Sequence, residues 1–448
     1  MAIRRTIAEF SDDIATADIA DDAITGGKLA NDIAISTTGN IATTGSGTLA
    51  VAGASTLTGN VTAAGTLAVT GTSTLTGNAT ASGNLTVTGD LVPSTPLSNR
   101  NLIINGSMQV SQRNSGVVTS ATDTYPYKAL DRWRVKDVLS TAQISYEQTH
   151  LTGANIPAAG LMNAHKISLY GGGTYVETAG AAEYMSIGQR IEAQNISHLL
   201  YGTASAKTIT LSFYVRSNKD GVYAVSVVTP DGTSYDIGTT YTISGTAWQR
   251  VTWTIPGNAS GQITDDNGYG MHFTWYLSAG TDSKTTSNTS WGAEAVGRRA
   301  YGHTAELFAN SGNYIEFTGI QLELGSNATP FEHRSIGDEL LRCQRYFYKQ
   351  QATNTYEGFL VTAAYHVSSA RGTYYLPTVM RANPAVSAGG DFQSVTGEDI
   401  TSIGLADGGG LGPAVTLAIG SSSGFAVSDA DSIRADNSLA SLEFDAEL

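Results

Sequence analysis

Three pairs of acidic residues have the chemistry that cleavage of a glycosidic bond requires, in which one carboxyl group donates a proton and the other acts as base or nucleophile. Asp265 and Asp266 lie in a Gly/Asn-rich turn, where aspartate is favoured for its turn geometry. Glu316 is expected on the solvent side of a strand, between the apolar Ile315 and Phe317. These positions favour structural roles, and the sequence predicts no catalytic residue. The pairs are Glu177 with Glu183, Asp265 with Asp266, and Glu316 with Glu323.

The histidines and the single cysteine are poorly placed for metal or redox chemistry. Seven histidines are scattered without an HxH or HxxxH pair, so their spacing predicts no metal site, while a site assembled from distant residues stays open. One cysteine, Cys343, excludes an intrachain disulfide framework. It falls on the apolar side of a predicted helix without a neighbouring base, so a buried structural thiol is expected.

Four aromatic residues are the candidates for binding a sugar, whose C–H groups stack on exposed aromatic rings beside polar side chains. Trp248 and Tyr276 fall on the polar faces of their predicted strands. Tyr374 and Tyr375 adjoin a predicted strand in the last part of the chain. The alternative is that these aromatic rings cover a sheet or form subunit contacts.

Residues 101–334 must position the first two of these rings. Apolar and polar residues alternate in several short runs, which predicts antiparallel strands with one buried face. In one run the apolar phase changes between Phe317 and Ile320, and a β-bulge at Thr318 and Gly319 would return both sets to one face. About ten such strands predict a β-sandwich with jelly-roll topology.

Residues 335–448 carry the other two rings. Residues 335–351 predict the one helix, with Ser335 as its N-terminal cap. Strand patterns return from residue 356 to 448, so the sequence predicts a helix followed by a small, distal C-terminal β-domain. The apolar stripe of the helix is formed by Ile336, Leu340, Cys343 and Phe347.

Residues 36–92 contain a repeat of 18 residues, since residues 54–71 and 72–89 share their Leu, Val, Gly and Asn positions. Each copy has too few apolar side chains to offset the roughly 1–2 kcal/mol of backbone entropy per residue, so it cannot fold alone. The stretch is either disordered or shared between several chains about one apolar axis, and its phased Leu-x-Val register, which flexible linkers lack, favours sharing. Three chains would close such an axis, which predicts a homotrimeric β-shaft. Residues 93–100 contain two prolines and are predicted to be a linker.

Composition restricts the partners. The formal net charge is −14, and residues 390–448 hold ten acidic residues against one basic residue, Arg434. A chain of this charge is not expected to bind nucleic acid. No apolar run is long enough to span a membrane, and the first residues lack the apolar core of a signal peptide. Residues 1–35 form an acidic arm that is either disordered or ordered only on a partner.

Five stretches resemble bacteriophage tail fibre proteins, and together they cover roughly residues 101–350. The last of them is similar to the joint between a jelly roll of the carbohydrate-binding-module type and a helix that starts the next module. The resemblance supplies no catalytic residue and no cofactor, although a structural Ca²⁺ would fit a jelly roll of this family. The stretches are NLIINGSMQVSQR (101–113), ALDRWRV (129–135), GQRIE (188–192), AWQRVTWTIPG (247–257) and GIQLELGSNATPFEHRSIGDELLRCQRYFYK (319–349).

The resemblance implies an all-β, elongated homotrimeric fibre of the virion, made in the host cytoplasm. Its arm, residues 1–35, would attach to the phage tail, the baseplate or an adaptor protein, and its distal β-domains would bind a host cell-surface glycan. A purely structural spacer or decoration protein is the alternative. A polysaccharide-degrading tailspike is disfavoured, because the long parallel β-helix of such enzymes is absent, and we expect no enzyme.

Overall fold

The computed structural model describes residues 98–114, 116–121, 127–140, 143–170, 178–406, 412–422, 424–427 and 430–448, with scattered positions between 62 and 86. The chain divides into two compact units, Met1–Thr88 and Gly89–Leu448. The predicted arm (1–35) lies outside the described residues, as do most of the shaft (36–92) and of the linker (93–100). The trimer and its shaft therefore stay predictions.

The first part of the larger unit is a β-sandwich of two six-stranded sheets, as the alternating pattern predicts. Sheet I has the order β1-β3-β4-β12-β6-β9, and sheet II has the order β11-β8-β7-β10-β5-β2. Neighbouring strands are antiparallel. The strands are β1 (Val118–Ala121), β2 (Arg134–Asp137), β3 (Gln143–His150), β4 (Asn163–Leu169), β5 (Tyr184–Glu192), β6 (Ile209–Ser217), β7 (Gly221–Thr229), β8 (Tyr235–Ile243), β9 (Gln249–Ile255), β10 (Tyr269–Ala279), β11 (Gly292–Ala293) and β12 (Tyr314–Leu324).

The core of the sandwich is a cluster of aromatic rings between the two sheets. Trp275 of sheet II lies 5.7 Å from Phe213 and 6.5 Å from Phe317 of sheet I, between ring centroids. Trp133 meets Trp275 edge-on at 5.7 Å. All four rings are buried, and edge-on contacts add to the free energy that their burial contributes. This core confirms the predicted β-sandwich.

The bulge predicted in β12 is confirmed. The register against β6 shifts between Thr318 and Gln321. Gly319 takes φ +59°, a left-handed conformation that costs glycine little. Phe317 before the shift and Ile320 after it are both fully buried, so the extra residue keeps one apolar face through the phase change.

The predicted helix is real but shorter than expected. Helix α1 (Ile336–Gln344) is capped by Ser335, whose side chain accepts a hydrogen bond from the Asp338 backbone N–H at 3.2 Å. The prediction that the helix reaches residue 351 is wrong, because Phe347 begins a strand. Ile336 is 58% exposed, so it does not belong to the apolar stripe, whereas Cys343 is fully buried as expected. Short 3₁₀ helices lie at Gly153–Asn155, Ala193–Asn195, Ser197–Leu199, Thr281–Lys284, Val296–Arg298 and Leu307–Ala309.

The remainder of the chain forms the predicted small β-domain. Sheet III has the order β13-β21-β16, and sheet IV has the order β17-β20-β14-β15-β19-β18. Their shared core includes Leu417, Ile433 and Phe444. The strands are β13 (Phe347–Gln351), β14 (Gly358–His366), β15 (Ser369–Tyr375), β16 (Ala385–Gly389), β17 (Phe392–Ser394), β18 (Ile400–Leu405), β19 (Ala414–Ser421), β20 (Ala430–Ala435) and β21 (Ser441–Asp445).

The sandwich and the small β-domain belong to one compact unit and share buried polar contacts. Glu192 at the end of β5 is fully buried. It accepts hydrogen bonds from Arg345 Nε at 2.9 Å and from the Tyr346 hydroxyl at 2.7 Å. Asn105 donates its backbone N–H to Glu339 of α1. Because these charges have lost their water, their partners across the interface are required for stability.

Candidate functional site

Trp248, the first predicted sugar-binding residue, is half-buried on the outer side of sheet I. Its indole N–H donates to the Asn155 carbonyl oxygen at 2.7 Å, and the Arg216 guanidinium lies 4.8 Å from its ring centroid. Arg216 is also ion-paired with Glu316. This pairing corrects the expectation that Glu316 faces solvent, since the carboxylate is 3% exposed. One face of Trp248 is thus covered by protein.

Tyr276 lies on the polar face of β10, as predicted, but it is not an exposed platform. It is only 4% exposed, because Ala224, Ala279 and Ala300 pack around it. Tyr184 lies 6.0 Å away between ring centroids. Burial raises the pKa of the Tyr276 hydroxyl. The segment after β10 returns over this end of sheet II, a long-range contact that strand periodicity does not reveal.

Tyr374 faces the interior of the small β-domain. Its ring stacks on Phe444 with the centroids 4.8 Å apart, and it is 5% exposed. Its hydroxyl donates to the Gln350 side chain and lies 3.4 Å from the Tyr348 hydroxyl. Burial, and then the hydrogen bond with Tyr348, raises the pKa of Tyr374. Its ring therefore packs in the core, and the residue also lines a broad depression at β15.

Tyr375 is the predicted residue whose ring is largely exposed to solvent. It alternates with Tyr374 at the end of β15 and is 77% exposed. It borders a broad depression with a volume of about 940 Å³, here named the open cleft. The depression lies across β13, β14, β15 and β19, and its lining includes Gln350, Val361, Arg371, Thr373, Tyr375 and Thr416.

The open cleft combines apolar and hydrogen-bonding groups. Val361 is 65% exposed, so an apolar side chain lies on the same strand face as the cleft. Thr373 and Arg371 are exposed on β15, one and two strand repeats before Tyr375. The Arg371 guanidinium lies 5.2 Å from the ring centroid of Tyr365. An aromatic ring beside a guanidinium and hydroxyls can stack on a sugar and hydrogen-bond its hydroxyls.

A second depression, here named the basic cleft, lies on the outer face of sheet II and was missed at the sequence level. Its volume is about 90 Å³. On each strand the lining residues lie at alternate positions, so they share one face of that strand. This alternation is visible in the sequence, but it does not show which strands are neighbours in the sheet. The lining includes Arg134, Lys136, Tyr184, His272, Thr274 and Arg299.

Two described members of the acidic pairs have structural partners. Asp266 accepts a hydrogen bond from the Gly268 backbone N–H at 2.8 Å, the turn geometry expected for it. Glu323 is 2% exposed and accepts from the Thr329 hydroxyl at 2.7 Å. Glu177 lies outside the described residues.

In the described ranges, no group of three or more histidine, cysteine, aspartate or glutamate side chains is arranged to bind a metal ion. The helices within those ranges are all too short or too polar to cross a bilayer.

No protein-family model matches the chain, and no curated protein matches it. Among solved structures, the chain is similar to a CBM4 carbohydrate-binding module at 11% identity and TM-score 0.25, covering 49% of this chain and 98% of the other. A family 11 carbohydrate-binding module of a Clostridium thermocellum cellulase matches at 13% identity and TM-score 0.23, covering 48% and 100%. The enzymatically active domain of a bacteriophage CBA120 tailspike matches at 10% identity and TM-score 0.26, covering 50% and 21%.

These likenesses carry no argument about the chain, since the three TM-scores lie well below 0.5. At such identities and TM-scores they assign neither a family nor a ligand to the chain. Any functional conclusion must therefore rest on the geometry of the described residues.

Proposed function

We propose that this protein is a trimeric tail fibre of a bacteriophage that binds a host-surface glycan through the open cleft of its small β-domain. The observation that carries the proposal is Tyr375, a large aromatic ring left 77% exposed at a cleft whose rim also offers Arg371 and Thr373. Burying such a ring against a sugar would remove apolar surface from water while the polar groups bind its hydroxyls. The proposed role is binding, not catalysis.

The fibre part of the proposal rests on the repeat. Leu67 and Val69 are 72% and 55% exposed in the single chain, on the strand-like alternation that the repeat predicts. Side chains of this kind are stabilised when copies of the chain enclose them. Three chains about one axis would also present three open clefts, and weak single-site sugar contacts then gain avidity. The acidic arm, residues 1–35, is proposed to attach this assembly to the virion.

The sharpest test of the binding site is Tyr375→Ala in the full chain. The exposed Tyr170, at 45% exposure and outside the cleft, provides the matched control as Tyr170→Ala. We expect Tyr375→Ala to weaken binding to host cells or glycan arrays by at least about tenfold, as loss of an aromatic anchor does. Binding that survives Tyr375→Ala unchanged would exclude the open cleft. A wild-type chain that binds no glycan and no cell would favour the structural spacer.

The assembly is tested separately. Light scattering on the full chain should give three times the 46.7 kDa of one chain. Leu67→Asp should weaken the trimer, because it would place three like charges on a shared apolar axis. A stable monomer at micromolar concentration would contradict the fibre proposal but not the sugar site.

A further inference from the structure

The basic cleft has the size of a single functional group. Its volume of about 90 Å³ corresponds to roughly three water molecules at about 30 Å³ each. A carboxylate fits such a space, whereas a whole sugar ring does not. The floor is polar, since Ser186, Ser226 and Thr274 are each less than 10% exposed and line it. A small polar group with the rest of its molecule outside would match this shape.

The charge of the lining is positive in a chain whose net charge is −14. Arg134, Lys136 and Arg299 line the cleft, against two carboxylates. Asp236 is 1% exposed, and the Arg298 guanidinium compensates its charge. The other carboxylate, Glu294, is exposed and lies 3.8 Å from the Arg299 guanidinium. Among the described residues of the lining, three cations therefore outnumber two carboxylates.

His272 lies near the cations Arg134 and Arg190. Burial, followed by the charges of Arg134 and Arg190, lowers its pKa well below the ordinary value. The neutral ring lies 3.3 Å from the Thr274 hydroxyl through Nε2. Gly188 makes room for it, because a Cβ there would lie 2.9 Å from that nitrogen. A negative ligand placed here would be stabilised by the surrounding cations.

Tyr184 gives the cleft a rim suited to a saccharide. Its ring is half-buried, and Lys136 Nζ lies 5.7 Å from its centroid. A sugar whose acidic group enters the cleft could lay its ring against this aromatic side chain. The planar fork of Arg134 matches the two oxygens of a carboxylate better than a single hydroxyl.

We propose that the basic cleft binds the carboxylate of an acidic saccharide, with Arg134 and Lys136 contacting the carboxylate oxygens and Tyr184 contacting the sugar ring. The inference rests on the proposed function, since it names the class of glycan, but it uses a different site from the open cleft. It makes the sandwich a second binding module that selects acidic chains.

The test is calorimetric titration of the full chain with glucuronic acid, glucose, glucose 6-phosphate and glucose 6-sulfate. Glucuronic acid should bind at least about tenfold more tightly than glucose, and rising salt should weaken it. Lys136→Gln should lower the affinity for glucuronic acid by about tenfold, as loss of a charged hydrogen bond does. Lys136 is chosen because Arg134 is 3% exposed, so its substitution would also destabilise the fold. Lys207→Gln, an exposed lysine outside the cleft, is the control.

Three results would overturn the inference. These are equal binding of glucose and glucuronic acid, equal affinities of Lys136→Gln and Lys207→Gln, and tighter binding of the phosphate or sulfate ester than of the carboxylate. Tyr375→Ala separates this inference from the proposed function. It should leave glucuronic acid binding unchanged even where it abolishes adsorption to cells, so either site can fail alone.

Discussion

Arg132 of the sandwich is ion-paired with Glu447 of the small β-domain, and both side chains are almost wholly buried, at 1% and 5% exposure. The guanidinium also stacks on Tyr346, 3.5 Å from its ring centroid, and donates to the Arg190 carbonyl oxygen at 2.6 Å. Arg132 has a φ of +70°, a conformation uncommon for a long side chain. A buried cation with this many partners depends on all of them.

Glu447→Gln should therefore destabilise the chain by roughly 3–5 kcal/mol, because it leaves the Arg132 charge buried without its counter-ion. Glu147 provides the control, since its ion pair with Lys166, at 2.8 Å, is about one-third exposed. Glu147→Gln should cost no more than about 1 kcal/mol. Denaturant unfolding followed by tryptophan fluorescence measures both. Equal costs would mean that the interface does not depend on this pair.

How much of this architecture the sequence predicts depends on the range of the interaction. The Ser335 cap and the bulge at Gly319 were predictable because their signals lie within a few residues. The end of α1 was not, because Phe347 pairs with Asp445 of β21, nearly a hundred residues later. Pairing with a distant strand therefore overrides the local helical pattern.

The same distinction between local signals and long-range contacts applies to the candidate site. Alternation separates Tyr374 from Tyr375 as residues on opposite strand faces, but it does not show which face is covered. Only the packing of Phe444 on Tyr374 decides that. The basic cleft needs five strands, β8, β7, β10, β5 and β2, to lie side by side. That neighbourhood is a property of the jelly roll and not of any one segment.

Gly319→Ala tests the bulge. The substitution forces a left-handed conformation on alanine, at about 1–2 kcal/mol, and its Cβ would lie 2.4 Å from Leu161 Cδ1. Gly153→Ala is the control, because Gly153 has a similar φ of +58° with no atom within 4 Å. We expect Gly153→Ala to lower the unfolding free energy by the backbone cost alone. Gly319→Ala should lose about 1–3 kcal/mol more through the clash, and equal losses would refute a packing role.

His165 should make the fold sensitive to acid. It is 1% exposed on the face of β4 that bears Ile167, and in the described chain neither ring nitrogen has a hydrogen-bond partner. Burial lowers its pKa to about 3 from the ordinary 6.5. Between these values the unfolded chain binds the extra proton, so this contribution to stability is complete above pH 6.5 and is lost as the pH falls towards 3.

His165→Leu removes that titration. For each pH unit below 6.5, the unfolding free energy of the wild type should fall by about 1.4 kcal/mol relative to that of the variant. Thermal unfolding of both proteins at several pH values between 4 and 7 measures it. Taking the difference cancels the other titrating groups that the two proteins share. A difference that does not change with pH would show that His165 is protonated as readily in the folded chain as in the unfolded chain.

The last prediction assigns attachment and adsorption to different parts of the chain. Deleting residues 335–448 is a poor test, because it would strip Arg132 and Glu192 of the partners that compensate their burial. The loss of adsorption could then follow from a damaged sandwich. Tyr375→Ala avoids this, since an exposed side chain contributes little to folding.

We therefore expect two opposite phenotypes. A chain lacking residues 1–35 should still form trimers and bind host cells but should not be incorporated into particles, because the arm is proposed to order on a virion partner. Tyr375→Ala should be incorporated normally and fail to adsorb. Particle incorporation by immunoblot and adsorption by cell pull-down measure the two properties separately. If the chain without its arm is incorporated as well as the full chain, attachment belongs to another segment, and the repeat of residues 36–92 becomes the region to examine.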